Sequence, residues 1–234
     1  MKTFKHSGDM GDIIFSLPTI RALGGGVLYL DPNGGKDEPL VHGTDQGDTT
    51  KLSAASIESM TDLLIEQPYV QSVVAGPGTE AKVNLDKFRD FIKFNNLADS
   101  HLAAFGFGQD ERDEAWLTCG KNFVKPRVIA RSCRYQGNHA FWGHFTQITN
   151  MEECVFLGHP LEHQLFEHTF NVKVEYKPTK TLMDAAEIIN AAEEVNCNQN
   201  VLHAITEGLK KKVINEVFRV YPAAVFKRDD ATYV

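Results

Sequence analysis

Apolar positions recur along the chain in short blocks that alternate between strand-like and helix-like spacing. Thr3 to Lys5 reads as a short buried strand, after which Ile13, Ile14, Leu17, Ile20 and Leu23 repeat at helical spacing. Gly24-Gly25-Gly26 ends that helix, and Val27 to Leu30 is a second buried strand. Asp31 to Thr50 is polar and rich in glycine and proline, the pattern of a long loop. Residues 51–67 place Leu52, Ile57, Met60, Leu63 and Leu64 on one helical face; Pro68 stops the helix and Tyr69 to Val74 forms a strand. Leu85 to Phe94 and His101 to Phe107 are weaker helical segments, and Gln109 to Glu114 is an acidic run expected in solvent. Beyond Lys121 to Lys125, which reads as a linker, the strands are Arg127–Ala130, Cys154–Leu157, Val172–Tyr176, Glu194–Cys197 and Val213–Val217. Helices are expected from Pro160 to Phe170, from Thr181 to Ala192 and from Val201 to Leu209, with Pro222 to Val234 a short tail. Strands alternating with helices predict an α/β chain, divided into residues 1–125 and 126–234.

Composition narrows the classes. The chain has 234 residues and a net charge of −7, and residues 1–125 hold 12 of its 24 Lys and Arg but 18 of its 31 Asp and Glu. An acidic first half excludes a strongly basic nucleic-acid footprint. No apolar run approaches the ~18 residues that would cross a membrane, and Asp9 and Asp12 interrupt any signal-peptide core, so a cytoplasmic protein is expected. The four cysteines show no Cys-x-x-Cys spacing and read as reduced thiols.

Candidate chemistry falls in three stretches. Ser7-Gly-Asp-Met-Gly-Asp12 joins the first strand to the first helix, so Asp12 lies in the crevice beyond the strand's carboxyl end, where open α/β sheets hold ligands. Its plain alternative, like that of Asp9, is a helix N-cap. The turn is not G-x-G-x-x-G, which argues against a nicotinamide cofactor, and Gly34-Gly35-Lys36-Asp37 lacks the Ser or Thr of a P-loop. Arg131-Ser-Cys-Arg134 follows a strand and carries two guanidiniums suited to a diphosphate, or two ordinary surface arginines. Asn198 to Asn200 cap a helix whose first N–H groups suit a phosphate. His159, His163 and His168 lack the order and third ligand of a metal site. No Asp-x-Asp occurs, so no metal is expected to hold the substrate.

With these stretches in view, the chain resembles glycosyltransferases of the GT-B type, and among them the ADP-heptose:lipopolysaccharide heptosyltransferases. The resemblance rests on Met10-Gly-Asp-Ile-Ile-Phe-Ser-Leu-Pro-Thr-Ile-Arg-Ala-Leu23, on Ile129 to Trp142, and on Asn198-Gln199 through Glu207-Gly208-Leu209 and Val213 to Glu216. It implies two Rossmann-like domains facing a central cleft, the acceptor on the N-terminal side and the nucleotide-sugar on the C-terminal side. It implies Asp12 as the general base, with Ser7, Gly8, Asp9, Met10 and Gly11 on the acceptor side. It places Arg131, Ser132, Arg134, Asn198, Gln199, Asn200, His203 and Glu207 against the donor, with no cofactor. The chain departs from the family in being shorter than typical members and in having no lysine in the diphosphate segment, where Arg134 is the available cation. The acceptor is a glycan hydroxyl or, in the compact form, a hydroxymethylated DNA base; a non-catalytic nucleotide-sugar binder is the other class. Nucleobase, sugar and oligomeric state are not fixed by these residues.

Overall fold

The computed structural model describes residues 1–32, 52–92, 96–220 and 223–234. Most of the expected Asp31–Thr50 loop, with Gly34 to Asp37, lies outside the described residues. The chain forms two compact units. The first is residues 1–118 with 181–183; the second is residues 119–180 with 184–234.

The first unit begins with β1 (Lys2–His6), α1 (Met10–Ala22), β2 (Gly26–Leu30), α2 (Ala54–Ile65) and β3 (Val70–Ala75). A short β4 (Val83–Asn84) follows, then a 3-10 segment over Leu85–Phe91, α3 (Leu97–Ala104) and a 3-10 turn at Gln109–Arg112. All strands are parallel, in the order β3-β2-β1-β4. Asp9 caps α1, and every residue of that helix from Ile13 to Ile20 is buried, so it is a core helix rather than an amphipathic one. The turn into β2 depends on glycine: Gly25 has φ +73°, and a Cβ there would meet the Tyr69 carbonyl oxygen. The acidic run is not wholly solvated as expected. Arg112 within it is buried and pairs with Asp99 at 2.5 Å, because a guanidinium can leave water only with its charge met.

The second unit has β5 (Arg127–Ala130), α4 (His139–Ile148), β6 (Cys154–Phe156), α5 (Pro160–Phe170) and β7 (Glu175–Tyr176). Then come α6 (Leu182–Ala191, its start assigned to the first unit), β8 (Glu194–Asn198), α7 (Val201–Gly208), β9 (Val213–Glu216) and β10 (Ala231–Tyr233). This sheet is also parallel, in the order β10-β9-β8-β5-β6-β7. One side of it is packed by Ile129, Trp142, Phe145, Phe156 and Phe166, so α4, which the apolar spacing did not reveal, supplies the aromatic core. The tail forms an edge strand, β10, beside β9.

Strand order fixes where each unit can hold a ligand. In the first sheet the chain adds β2 and β3 on one side of β1 and then returns to the other side for β4. In the second it adds β6 and β7 on one side of β5 and β8 to β10 on the other. The reversals fall between β1 and β4 and between β5 and β8, and crevices open beyond the carboxyl ends of those strands.

Candidate functional site

The residues at the first reversal are Ser7 to Asp12, with Asp86 from the segment after β4. Asp12 is the third residue of α1 and half-buried. Its Oδ2 accepts the Asp9 N–H at 3.2 Å, closing a capping box in which Asp9 is the N-cap. The carboxylate therefore stands at the positive end of a helix, with its position fixed by the turn. Gly8 passes directly beneath it: a Cβ there would lie 2.5 Å from Asp12 Oδ2 and 2.7 Å from His6 Cε1. Ser7 and Gly8 are buried; Met10 and Gly11 are half-buried, and Met10 Sδ accepts from Ser59 Oγ at 4.0 Å.

Below the turn sits a group no local pattern indicated. His6 is fully buried, and its Nδ1 accepts the Gly8 N–H at 2.9 Å. Burial pushes the His6 pKa down to about 4, against the pull of Asp86 and with the help of Arg89, so the ring is neutral at pH 7. His101 lies 5.2 Å away, stacked at 4.0 Å on Phe88, and burial also holds its pKa well below the usual imidazole range. Asp86 accepts the Ser7 N–H at 3.0 Å and the Ser7 hydroxyl at 2.7 Å, and Arg89 Nη1 lies 2.8 Å from it. Burial opposes the Asp86 charge, but His6, Ser7 and Arg89 outweigh it and hold the pKa below the usual range.

At the second reversal the loop after β5 is tied to the end of β8. Asn198 is fully buried; its Oδ1 accepts the Ser132 N–H at 2.9 Å, and its Nδ2 donates to the Ser132 and Arg134 carbonyls at 3.0 and 2.5 Å. Asn200 caps α7, its Oδ1 accepting the Leu202 and His203 N–H groups at 2.8 and 3.0 Å, while its Nδ2 donates to the Ala130 carbonyl. Gln199 Oε1 accepts the Phe218 N–H at 2.6 Å. Arg131 is buried and gives Nε and Nη2 to Glu216 at 3.0 and 3.3 Å. Glu216 is fully buried and also accepts the N–H groups of Gly137 and Asn138 and the Trp142 indole N–H. Burial works against its charge, but these donors and the Arg131 guanidinium hold its pKa low. Arg134 is half-buried beside the Tyr135 ring, and Tyr135 takes the left-handed φ of 52°.

Several of the residues expected against the donor make internal bonds. Arg131 commits two of its donors to an internal carboxylate, which leaves Arg134 as the more accessible guanidinium of the pair. Of the first α7 N–H groups, expected to suit a phosphate, those of Leu202 and His203 are capped by Asn200. His203 and Glu207 lie on α7. Both are buried, and Glu207 pairs with Arg228 at 3.0 Å and accepts from the Tyr233 hydroxyl at 3.2 Å, stapling the tail to α7. Ser132 and Asn198 hold the shape of the loop. His163 Nε2 lies 2.9 Å from the Val174 carbonyl oxygen, and among the described residues no cluster of three His, Cys, Asp or Glu side chains is placed to hold a metal ion.

No protein-family model and no curated protein matches the chain. Solved structures do. E. coli heptosyltransferase WaaC with ADP-2-deoxy-2-fluoro heptose aligns at a TM-score of 0.56 and 10% identity, over 100% of this chain and 93% of that one. A family 9 glycosyltransferase from Veillonella parvula aligns at 0.56 and 12%, over 99% and 84%. The chain shares their fold. TibC of enterotoxigenic E. coli, described as an iron-containing dodecameric glycosyltransferase, aligns at 0.53 and 12% over 98% of this chain and 61% of that one. The common α/β architecture is the one the sequence resemblance implied. Among the described residues no helix is long and apolar enough to cross a membrane.

Proposed function

We propose that the chain is a glycosyltransferase that moves a sugar from a nucleotide-sugar to an acceptor hydroxyl without a metal ion. The first unit takes the acceptor around Ser7 to Gly11 and the second takes the donor around Arg134, in the GT-B division of labour. Asp12 accepts the hydroxyl proton as the acceptor oxygen bonds to the anomeric carbon. The bond from that carbon to the diphosphate breaks, and the nucleoside diphosphate leaves with the electron pair. Arg134 meets the charge of the leaving group.

One observation carries the reading. Each sheet reverses its strand order once on either side of a central strand, and the two stretches singled out by chemistry, Ser7–Asp12 and Arg131–Arg134, are the segments that follow those central strands. Fold analogy agrees, since WaaC and TibC are named as heptosyltransferases, WaaC described with ADP-2-deoxy-2-fluoro heptose and TibC with ADP-D-beta-D-heptose. It does not choose the sugar or the acceptor.

The test is release of nucleoside diphosphate from ADP-heptose, UDP-glucose, GDP-mannose and CDP-glucose, with a glycan pool or hydroxymethylated duplex DNA as acceptor. Acceptor-dependent release that persists in EDTA is expected. Binding of a donor with no release under any acceptor points to a binding protein, and release abolished by EDTA and restored by Mg²⁺ or Fe²⁺ overturns the metal-free mechanism.

A further inference from the structure

Ser7 and Gly8 are the two residues between β1 and the cap of α1, and Ser7 is gripped from a point 79 residues away. Asp86 stands just past β4, on the far side of the strand reversal, with Oδ1 on the Ser7 N–H at 3.0 Å and Oδ2 on the Ser7 hydroxyl at 2.7 Å. The next N–H, that of Gly8, goes to His6 Nδ1 at 2.9 Å, and His6 Nδ1 lies 3.4 Å from Asp86 Oδ1. The one after, that of Asp9, goes to Asp12 Oδ2. Three consecutive backbone donors are thus each aimed by a side chain, and the last of these is the proposed base.

The strand pairing does not need this. β4 is held to β1 by the Phe4–Val83 and Lys5–Asn84 pairs, and the segment after it is anchored by Leu85 and Phe88, both buried. A carboxylate with 16% side-chain exposure carries a desolvation cost. Here its bonds go to the two-residue turn and to Arg89 rather than to the sheet.

We propose that Asp86 is a positioning residue for Asp12, acting through Ser7 and Gly8. The inference rests on the reading of Asp12 as the base. Gly8 transmits the restraint because its backbone fills the space between the His6 ring and the Asp12 carboxylate, with no room for a Cβ. If Ser7 is released, the floor under Asp12 moves, and displacement of a catalytic group by about 1 Å costs on the order of 10² in rate.

The experiment is a double-mutant cycle on turnover in the release assay, using Asp86→Ala, Asp12→Asn and the double variant, with donor affinity and acceptor KM measured for each. Asp86→Ala is expected to lower kcat by about 10- to 100-fold, to leave acceptor KM and donor affinity unchanged, and to add nothing to Asp12→Asn in the double variant. Losses that multiply, or an Asp86→Ala enzyme with parental kcat, overturn the positioning role. A parental rate for Asp12→Asn alone overturns the base assignment and is read independently of Asp86. If Asp86→Ala does not fold, Asp86→Asn, which keeps an oxygen for the Ser7 N–H, takes its place. A smaller kcat loss with the same non-additivity supports the proposal; additivity overturns it.

Discussion

Replacing Glu216 by Gln removes one charge and almost no volume from the interior of the second unit. The carboxylate receives five hydrogen bonds: Arg131 Nη2 and the Gly137 and Asn138 N–H groups on Oε1, and Arg131 Nε and the Trp142 indole on Oε2. An amide presents one oxygen and one NH2. With the NH2 at the Oε2 position two donors face another donor, and with it at Oε1 three do. In both cases a buried guanidinium loses its counter-charge. Breaking a buried pair by removing one partner costs about 3–5 kcal/mol, a large share of the roughly 5–15 kcal/mol that holds a domain together. Because Glu216 is held ionised in the fold, its contribution is present above the ordinary carboxylate range and is lost as pH falls through its lowered pKa, so parent and variant should converge in acid. Urea unfolding followed by tryptophan fluorescence and far-UV circular dichroism measures the loss at pH 7. A change below about 0.5 kcal/mol, the scatter of neutral surface substitutions, would refute the assignment of Arg131 as an internal residue and return it to the ligand.

Two further outcomes follow from the same geometry. Arg134→Ala should weaken nucleoside diphosphate binding by about 1.5–3 kcal/mol, the worth of a hydrogen bond to a charged group, without lowering the melting temperature; calorimetric titration with ADP and UDP checks it, and parental affinity contradicts it. Stability should fall as pH drops from about 6.5 to about 4, because His6 and His203 are buried and neutral with folded pKa values of about 4 while the unfolded chain takes up protons near 6.5. Their stabilising contribution is therefore complete above 6.5 and lost below it. Melting temperatures across that range should show the decline, and His203→Leu should flatten it; an equally steep decline in that variant contradicts the burial argument.

Periodicity revealed most of the elements because parallel strands and core helices are apolar in runs that local spacing can show. It missed α4, a ten-residue helix whose buried Trp142 and Phe145 stand among His139, Gly143, His144 and Gln147. It missed β10 as well, since an edge strand of three residues carries little pattern. The site residues divide in the same way. Ser7 to Asp12 are contiguous, so the strand, glycine turn and capping pattern was legible. The partners that give them meaning are remote: Asp86 lies 79 residues from Ser7 and Glu216 lies 85 from Arg131. Nothing in either stretch indicates a pairing across that distance. α7 depends on remote partners in the same way. The apolar face read from its spacing is Val201, Leu202, Ile205 and Leu209, and only the resemblance set His203 and Glu207 against a donor. The helix is instead buried nearly all round, and the tail returns to satisfy Glu207 with Arg228 and Tyr233.

Asp12→Asn tests the central claim most directly. The structure makes it a clean substitution, because the carboxylate oxygen that accepts the Asp9 N–H has an amide counterpart and the helix keeps Asp9 as its cap. Loss of the charge at the helix N-terminus should cost less than about 1 kcal/mol. Donor affinity, which the proposal assigns to residues of the second unit, should be unchanged. Turnover in the release assay should fall by roughly 10² to 10⁴, the usual contribution of a positioned base, with the melting temperature near parental. A variant that folds, binds donor and turns over at the parental rate would show that Asp12 only closes the first turn of its helix.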